Sequence, residues 1–353
     1  MRTLRTSKLS FLAMACLFLV VSCVKEGPMG PAGANGKDGV NGTNGTDGTA
    51  TCTQCHSDNQ VIYAKEIQYS KSQHAMGMNY ERNEGECATC HTSQGFRGKL
   101  DGSYDWTAAG AKISDPNPQN CYTCHKIHET YTVNDLGLTV SGPIAVRNTG
   151  GKTHDYGKGD VCASCHQGRT LEPWPVAGGD SIQAGSRYGI HHGPQGNLIA
   201  GVGMGLFEVG DGLVNSAHSA NNPNACVTCH MADAFGGQAG GHTLWMTYDY
   251  HGNEEMNSAG CYTAGCHSEG EDMMALVEDY QTEIKGLLAD LKLKLDAAGI
   301  TKPGSDSNVN GKYPGLVAGA FLDYSALVQD GSDGVHNPKY VKKLLENLLD
   351  ALN

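Results

Sequence analysis

The sequence predicts a mainly α fold with extensive loops and little β, in which bulky bound groups supply much of the apolar core and a helical module closes the C-terminus. Three observations carry this. A pair of cysteines followed at once by His occurs six times between residues 51 and 270. That stretch is Gly-rich and aromatic residues are only 7% of the chain, too few for an ordinary side-chain core of this size. Beyond residue 270, apolar residues recur at three and four, the helical period.

The motifs are Cys52-Cys55-His56, Cys87-Cys90-His91, Cys121-Cys124-His125, Cys162-Cys165-His166, Cys226-Cys229-His230 and Cys261-Cys266-His267. C-x-x-C-H is the attachment signature of c-type haem. Its thiols form thioethers with the two vinyl groups, and the adjacent His reaches the iron from one face. The spacing is mechanical, because one short loop must present three groups to one haem edge. Five motifs have the two-residue gap. The sixth has four residues, Tyr262 to Gly265, an arc that still bridges two vinyls. The expectation is six haem c, about one per 37 residues, in a haem-organised multihaem cytochrome c core over 51–270. Of 14 cysteines, only Cys16 and Cys23 fall outside the motifs, so none is left for structural disulfides. Zinc also uses cysteine pairs, but zinc does not require His directly after the second Cys, and here His follows all six pairs.

Residues 1–22 read as a secretion signal. Arg2, Arg5 and Lys8 precede the apolar run Phe11 to Val21, which is too short to span a membrane. Val20-Val21-Ser22-Cys23 resembles the lipobox of bacterial lipoproteins. The resemblance implies cleavage before Cys23 and acylation of its thiol, which would anchor residues 23–26 on a membrane. Ordinary cleavage beside an incidental Cys is the alternative. Covalent haem attachment outside the inner membrane fits export, and Val24 in place of Asp favours the outer membrane, on its periplasmic or cell-surface face. Cleavage lowers the formal net charge of −12 by three, which argues against nucleic acid and for redox proteins or an extracellular acceptor as partners.

From 27 to 50, glycine falls on a strict period of three, Gly27 through Gly48, with Pro28 and Pro31 after the first two. Two readings stay open. One is a collagen-like three-chain helix, since only Gly fits at its axis, which would make a homotrimer. The other is a solvated Gly-rich tether. Either spaces the rest of the chain from the membrane.

Six irons need up to six further axial ligands, and nine other histidines are present. His74 and His218 share a local pattern, Ser72-Gln73-His74-Ala75 and Ser216-Ala217-His218-Ser219. His128 lies three residues after His125, so the two imidazoles share a face and serve different irons. His242 sits in Gly240-Gly241-His242-Thr243, where small residues admit a flat ring. Of His191 and His192, followed by a Gly-Pro turn, His192 is favoured. His336 precedes a helix that Asn337 is expected to cap and Pro338 to open. These six, His74, His128, His192, His218, His242 and His336, are preferred over His154 and His251.

The C-terminal module over 271–353 reads as three helices. Leu276, Tyr280, Ile284, Leu287, Leu291 and Leu295 line one over 271–298, stopped by Gly299. A second covers about 315–329, and a third runs to about Leu352 on Val341, Leu344, Leu345, Leu348, Leu349 and Leu352. The acidic turn Asp330-Gly331-Ser332-Asp333-Gly334 joins the last two. A calcium loop is the sharper reading of that turn, and a plain turn the simpler one.

Gly319 to Tyr324, Asp330-Gly331-Ser332 and Gly334 to Tyr340 resemble the C-terminal helical region of bacterial multihaem cytochromes c, the broad group of pentahaem nitrite reductases and octahaem relatives. Cys162 to Arg169, His191 to Gln195 and Cys226 to Met231 resemble segments of the same group. Such proteins supply a distal His from a His-x-Pro position, which the resemblance places at His336. The chain departs from the nitrite reductases in having no Cys-x-x-Cys-Lys motif. The leading expectation is therefore an electron relay through irons with two His ligands each. The competing class is an enzyme that reduces nitrite, hydroxylamine or a sulfur oxyanion at one open iron.

Overall fold

A computed structural model describes residues 55–56, 61–263 and 266–353. The signal segment, Cys16, Cys23, the glycine-period spacer and Cys52 lie outside the described residues.

Up to residue 270, helix comes in short pieces: α1 (Val61–Ser70), α2 (Gln73–Met76), α3 (Gly85–His91), α4 (Ser93–Asp101), α5 (Cys121–Cys124), α6 (Asp160–Ala163), α7 (Gln195–Ala200), α8 (Ala217–Ala220) and α9 (Cys226–His230). Polar caps start several of them. Ser72 accepts the Ala75 N–H at 3.2 Å to open α2. Thr92 accepts the Gly95 N–H at 2.9 Å, turning the chain from α3 into α4. Asn120 and Thr123 form a reciprocal capping box at α5.

Sheet among the described residues is limited to three antiparallel pairs. These are β1 (Ile144–Ala145) with β2 (Thr153–His154), β3 (Ile182–Ala184) with β6 (Gly311–Tyr313), and β4 (Thr247–Tyr250) with β5 (Asn253–Met256). Val133–Leu136 is a 3₁₀ turn, and Leu138 makes one bridge, to His125.

The C-terminal helices are α10 (Met273–Ala297), α11 (Gly315–Asp330) and α12 (Pro338–Ala351). Asp272 caps α10 by accepting the Ala275 N–H at 3.0 Å. Ile284, Leu288, Leu291 and Leu295 form its buried stripe. Leu276, expected on that face, is 49% exposed, because the stripe runs through Leu288 and begins at Met273. On α12, Val341, Leu344, Leu345 and Leu348 are fully buried, each contributing about 1.5–3 kcal/mol. Asn337 does not cap α12. Its Oδ1 accepts the Ser216 N–H at 2.8 Å and its Nδ2 donates to the Leu198 carbonyl at 3.0 Å, so it ties α12 to the earlier chain. Pro338 opens the helix, where no N–H is needed.

These helices share one apolar core with Ile190, Leu198, Leu206 and Phe207. The C-terminal module and the 190–207 segment therefore pack as one body. Gly319 allows the closest approach, since a Cβ there would lie 2.3 Å from the Phe207 ring.

Asp323 sits unpaired in this core. One carboxyl oxygen accepts the Phe207 N–H at 2.8 Å, and the other has no partner. Burial raises its pKa well above the carboxylate range; the Phe207 N–H opposes this, and nearby Glu208 adds to it. A folded pKa above the unfolded one means that stability falls as pH rises above the usual carboxylate value. Asp323→Asn is expected to stabilise the protein at neutral pH by about 1–3 kcal/mol, with the gain fading toward pH 4. Denaturant midpoints of both proteins across that range check this.

Candidate functional site

Four of the motifs are carried on short helices or the turns that end them. Cys87, Cys90 and His91 lie in α3, and Cys226, Cys229 and His230 in α9. Cys121 and Cys124 bound α5, with His125 as the residue that ends it. Cys162 is in α6, and the His166 N–H returns to the Cys162 carbonyl at 2.9 Å. In the sixth motif the His267 N–H returns to the Cys261 carbonyl at 3.1 Å, so the longer gap still closes into a turn. No two of the described cysteines form a disulfide.

Each motif histidine faces one histidine from elsewhere in the chain. His56 faces His128 with ring centroids 6.1 Å apart, and His166 faces His74 at 5.9 Å. His91 faces His191 at 6.4 Å, and His125 faces His242 at 6.1 Å. His230 faces His336 at 6.3 Å, and His267 faces His218 at 6.3 Å. The narrow spread has a chemical meaning. A metal–nitrogen bond of about 2 Å on each side, plus about 1 Å from nitrogen to ring centre, puts two imidazoles on opposite faces of one metal about 6 Å apart.

Five of the expected distal histidines, His74, His128, His218, His242 and His336, stand in these pairs. His192 does not: the ring facing His91 is that of His191. Arg169 N–H holds the Ile190 carbonyl at 2.8 Å, and Ile190 is fully buried. His191 then takes a left-handed φ of +71°, which turns its ring to His91. His192 lies beside His191 at 5.2 Å. His154 packs on Tyr156 and His251 on Tyr250.

The second nitrogens are also placed. His125 Nδ1 meets the Leu136 carbonyl at 2.7 Å, His218 Nδ1 the Val335 carbonyl at 2.7 Å, and His230 Nδ1 the Leu244 carbonyl at 2.9 Å. His166 Nδ1 meets Gln195 Oε1 at 3.2 Å, His267 Nδ1 meets Glu271 Oε2 at 3.1 Å, and His336 Nδ1 meets Asp330 Oδ1 at 2.7 Å. A proton donated from Nδ1 leaves the Nε2 lone pair free to bind a metal. Burial depresses His74 and His242 to a pKa of about 4, which keeps both neutral and able to ligate. For His336, burial pulls the pKa down, but the Asp330 carboxylate outweighs it and the net shift is upward.

This donor set fits haem. Each of the five fully described sites has two thiols beside one imidazole and a second imidazole facing it, and a metal held between the two rings would have four further positions to fill. Among the described residues no three His, Cys, Asp or Glu side chains converge to fill them. A porphyrin supplies four nitrogens in one plane. Several large apolar side chains are exposed in the same stretches of chain, among them Met76, Met78 and Trp245.

The sites adjoin one another. His125 and His128 come from one segment and belong to different pairs. Cys90 lies against Cys165, and Cys162 against Cys226. Cys229 lies near Cys261 and Cys266.

No family model matches the chain, and no curated protein matches it. Among solved structures it is similar to the outer cell wall cytochrome OcwA, with a TM-score of 0.51 and 20% identity, over 82% of this chain and 50% of that one. The two share a fold over that span. A second similar structure, the undecaheme cytochrome from the S-layer of Carboxydothermus ferrireducens, has a TM-score of 0.44 and 17% identity, over 82% of this chain and 40% of that one. The chain thus spans half or less of the length of either protein.

Sequence reasoning missed the groups behind the paired histidines. Glu271 lies only four residues after His267, in the turn before α10, and the closeness in sequence was the one signal it carried. Gln195 and Asp330 carried no such signal. In the acidic turn Asp330 holds His336, and Asp333 pairs with Lys285 at 3.2 Å.

Proposed function

We propose that this chain binds six haem c groups, each held between two histidines, and works as an electron relay. The observation that carries it is the set of six histidine pairs with centroids 5.9–6.4 Å apart. Bound haem supplies a one-electron couple at each iron, tuned by its axial ligands. The polypeptide positions the sites in short succession. His56/His128 leads to His125/His242 through one segment. His74/His166 connects to His230/His336 through Cys162 and Cys226, and on to His218/His267 through Cys229 and Cys261. His91/His191 joins through Cys90 and Cys165.

The reading extends to an exported protein, lipid-anchored through Cys23 at the outer membrane, that passes electrons to redox proteins or an extracellular acceptor. The lipobox-like segment supports the anchor. Among the described residues no helix is long and apolar enough to cross a membrane. The glycine-period tract would space the relay from the lipid, as a tether or as part of a homotrimer. The enzyme reading requires an iron whose motif histidine faces no second imidazole, and every motif histidine here faces one.

Exogenous ligands test the relay directly. Carbon monoxide added to the fully reduced protein and cyanide added to the oxidised protein are expected to leave the Soret band unchanged. A stoichiometric shift with either, or turnover of nitrite or hydroxylamine, would favour the open-iron enzyme.

A further inference from the structure

We infer that Asp330 is a positioning residue that lowers the reduction potential of the site held by His230 and His336. The inference rests on the reading that this pair holds a haem. The Asp330 side chain is fully buried, and its Oδ1 accepts the His336 Nδ1–H at 2.7 Å. The Ser332 hydroxyl donates to its other oxygen. Asp330 also ends the 16-residue helix α11, where the carbonyl end of the helix adds partial negative charge.

No other described ligand histidine has this environment. His125, His218 and His230 meet backbone carbonyls, and His166 meets the neutral amide of Gln195. Glu271 is a carboxylate on His267, but it lies at 3.1 Å and is 46% exposed, where water screens it. A buried anion on Nδ1–H draws the proton toward itself and leaves imidazolate character on Nε2. That makes Nε2 a stronger donor to iron and favours the more positively charged oxidation state. Low local dielectric strengthens the effect.

Asp330 also touches the neighbouring site through neutral groups. Gln195 Nε2 donates to the Asp330 carbonyl at 2.9 Å while Gln195 Oε1 meets His166. The carboxylate charge itself lies on His336, so its effect belongs chiefly to one site.

The test is Asp330→Asn in the full, haem-loaded protein, followed by potentiometric titration of the α band and EPR of the oxidised state. Asn keeps an acceptor for His336 and removes the charge. One haem's share of the absorbance change is expected to move to higher potential, with the low-spin signals retained. Ser332→Ala removes the hydroxyl that competes with His336 for the Asp330 negative charge and is expected to move the same share to lower potential. It also serves if the Asp330 variant does not fold. Midpoints identical to the parent protein in the variants that fold would overturn the inference and leave Asp330 as a purely orienting group. His336→Ala separates the two levels: an unchanged low-spin count there would overturn the haem assignment of this pair instead.

Discussion

Replacing His191 by Ala is expected to open one iron, and replacing His192 by Ala is expected to open none. The two residues are adjacent and chemically identical, so only their placement separates them. His191 stands 6.4 Å from His91, the distance of a trans ligand. In the alanine variant that axial position falls to water, a weak-field ligand, and the oxidised protein should gain one high-spin ferric signal per chain. His192, 5.2 Å from the His191 ring, is close enough to enter the vacated position on a local rearrangement. The double variant removes that route and is expected to show the full high-spin signal. A signal from the His192 variant alone would reverse the assignment.

Leu344→Ala is expected to destabilise the protein by about 2–5 kcal/mol, the cost of a large cavity in a packed core. Leu344 is fully buried in the core formed by α10, α11 and α12. The loss should lower the thermal midpoint by on the order of 10 °C, read by far-ultraviolet circular dichroism. The same core holds Ile190, the residue before His191, and Leu198 of α7, whose first residue is Gln195. Loosening it should reach the ligands. High-spin character is expected to grow on warming in the variant at temperatures where the parent stays low-spin. A midpoint within a degree of the parent would show that Leu344 does not carry this core.

The six cysteine–histidine motifs were readable because each lies within a few positions of chain. The C-terminal helices were readable from their period, within a residue or two at most ends. The distal histidines were harder. His336 and the His74/His218 repeat had local signals, yet their partners lie far away in the chain. His74 crosses to His166, and His128 reaches back to His56. Such pairings depend on how loops are laid over one another, which no local pattern encodes. The choice between His191 and His192 turned on one left-handed backbone angle, set by a buried Ile190 and an Arg169 hydrogen bond. Asn337 looked like a cap and serves as a tie between distant segments. Leu276 fitted the helical period but lies at the exposed edge of the buried stripe of α10.

Low-temperature EPR of the fully oxidised protein, with a haem count on the same sample, tests the central claim most directly. The account predicts six haems per chain and only low-spin ferric signals. A stoichiometric high-spin signal, or a count of five, would contradict it.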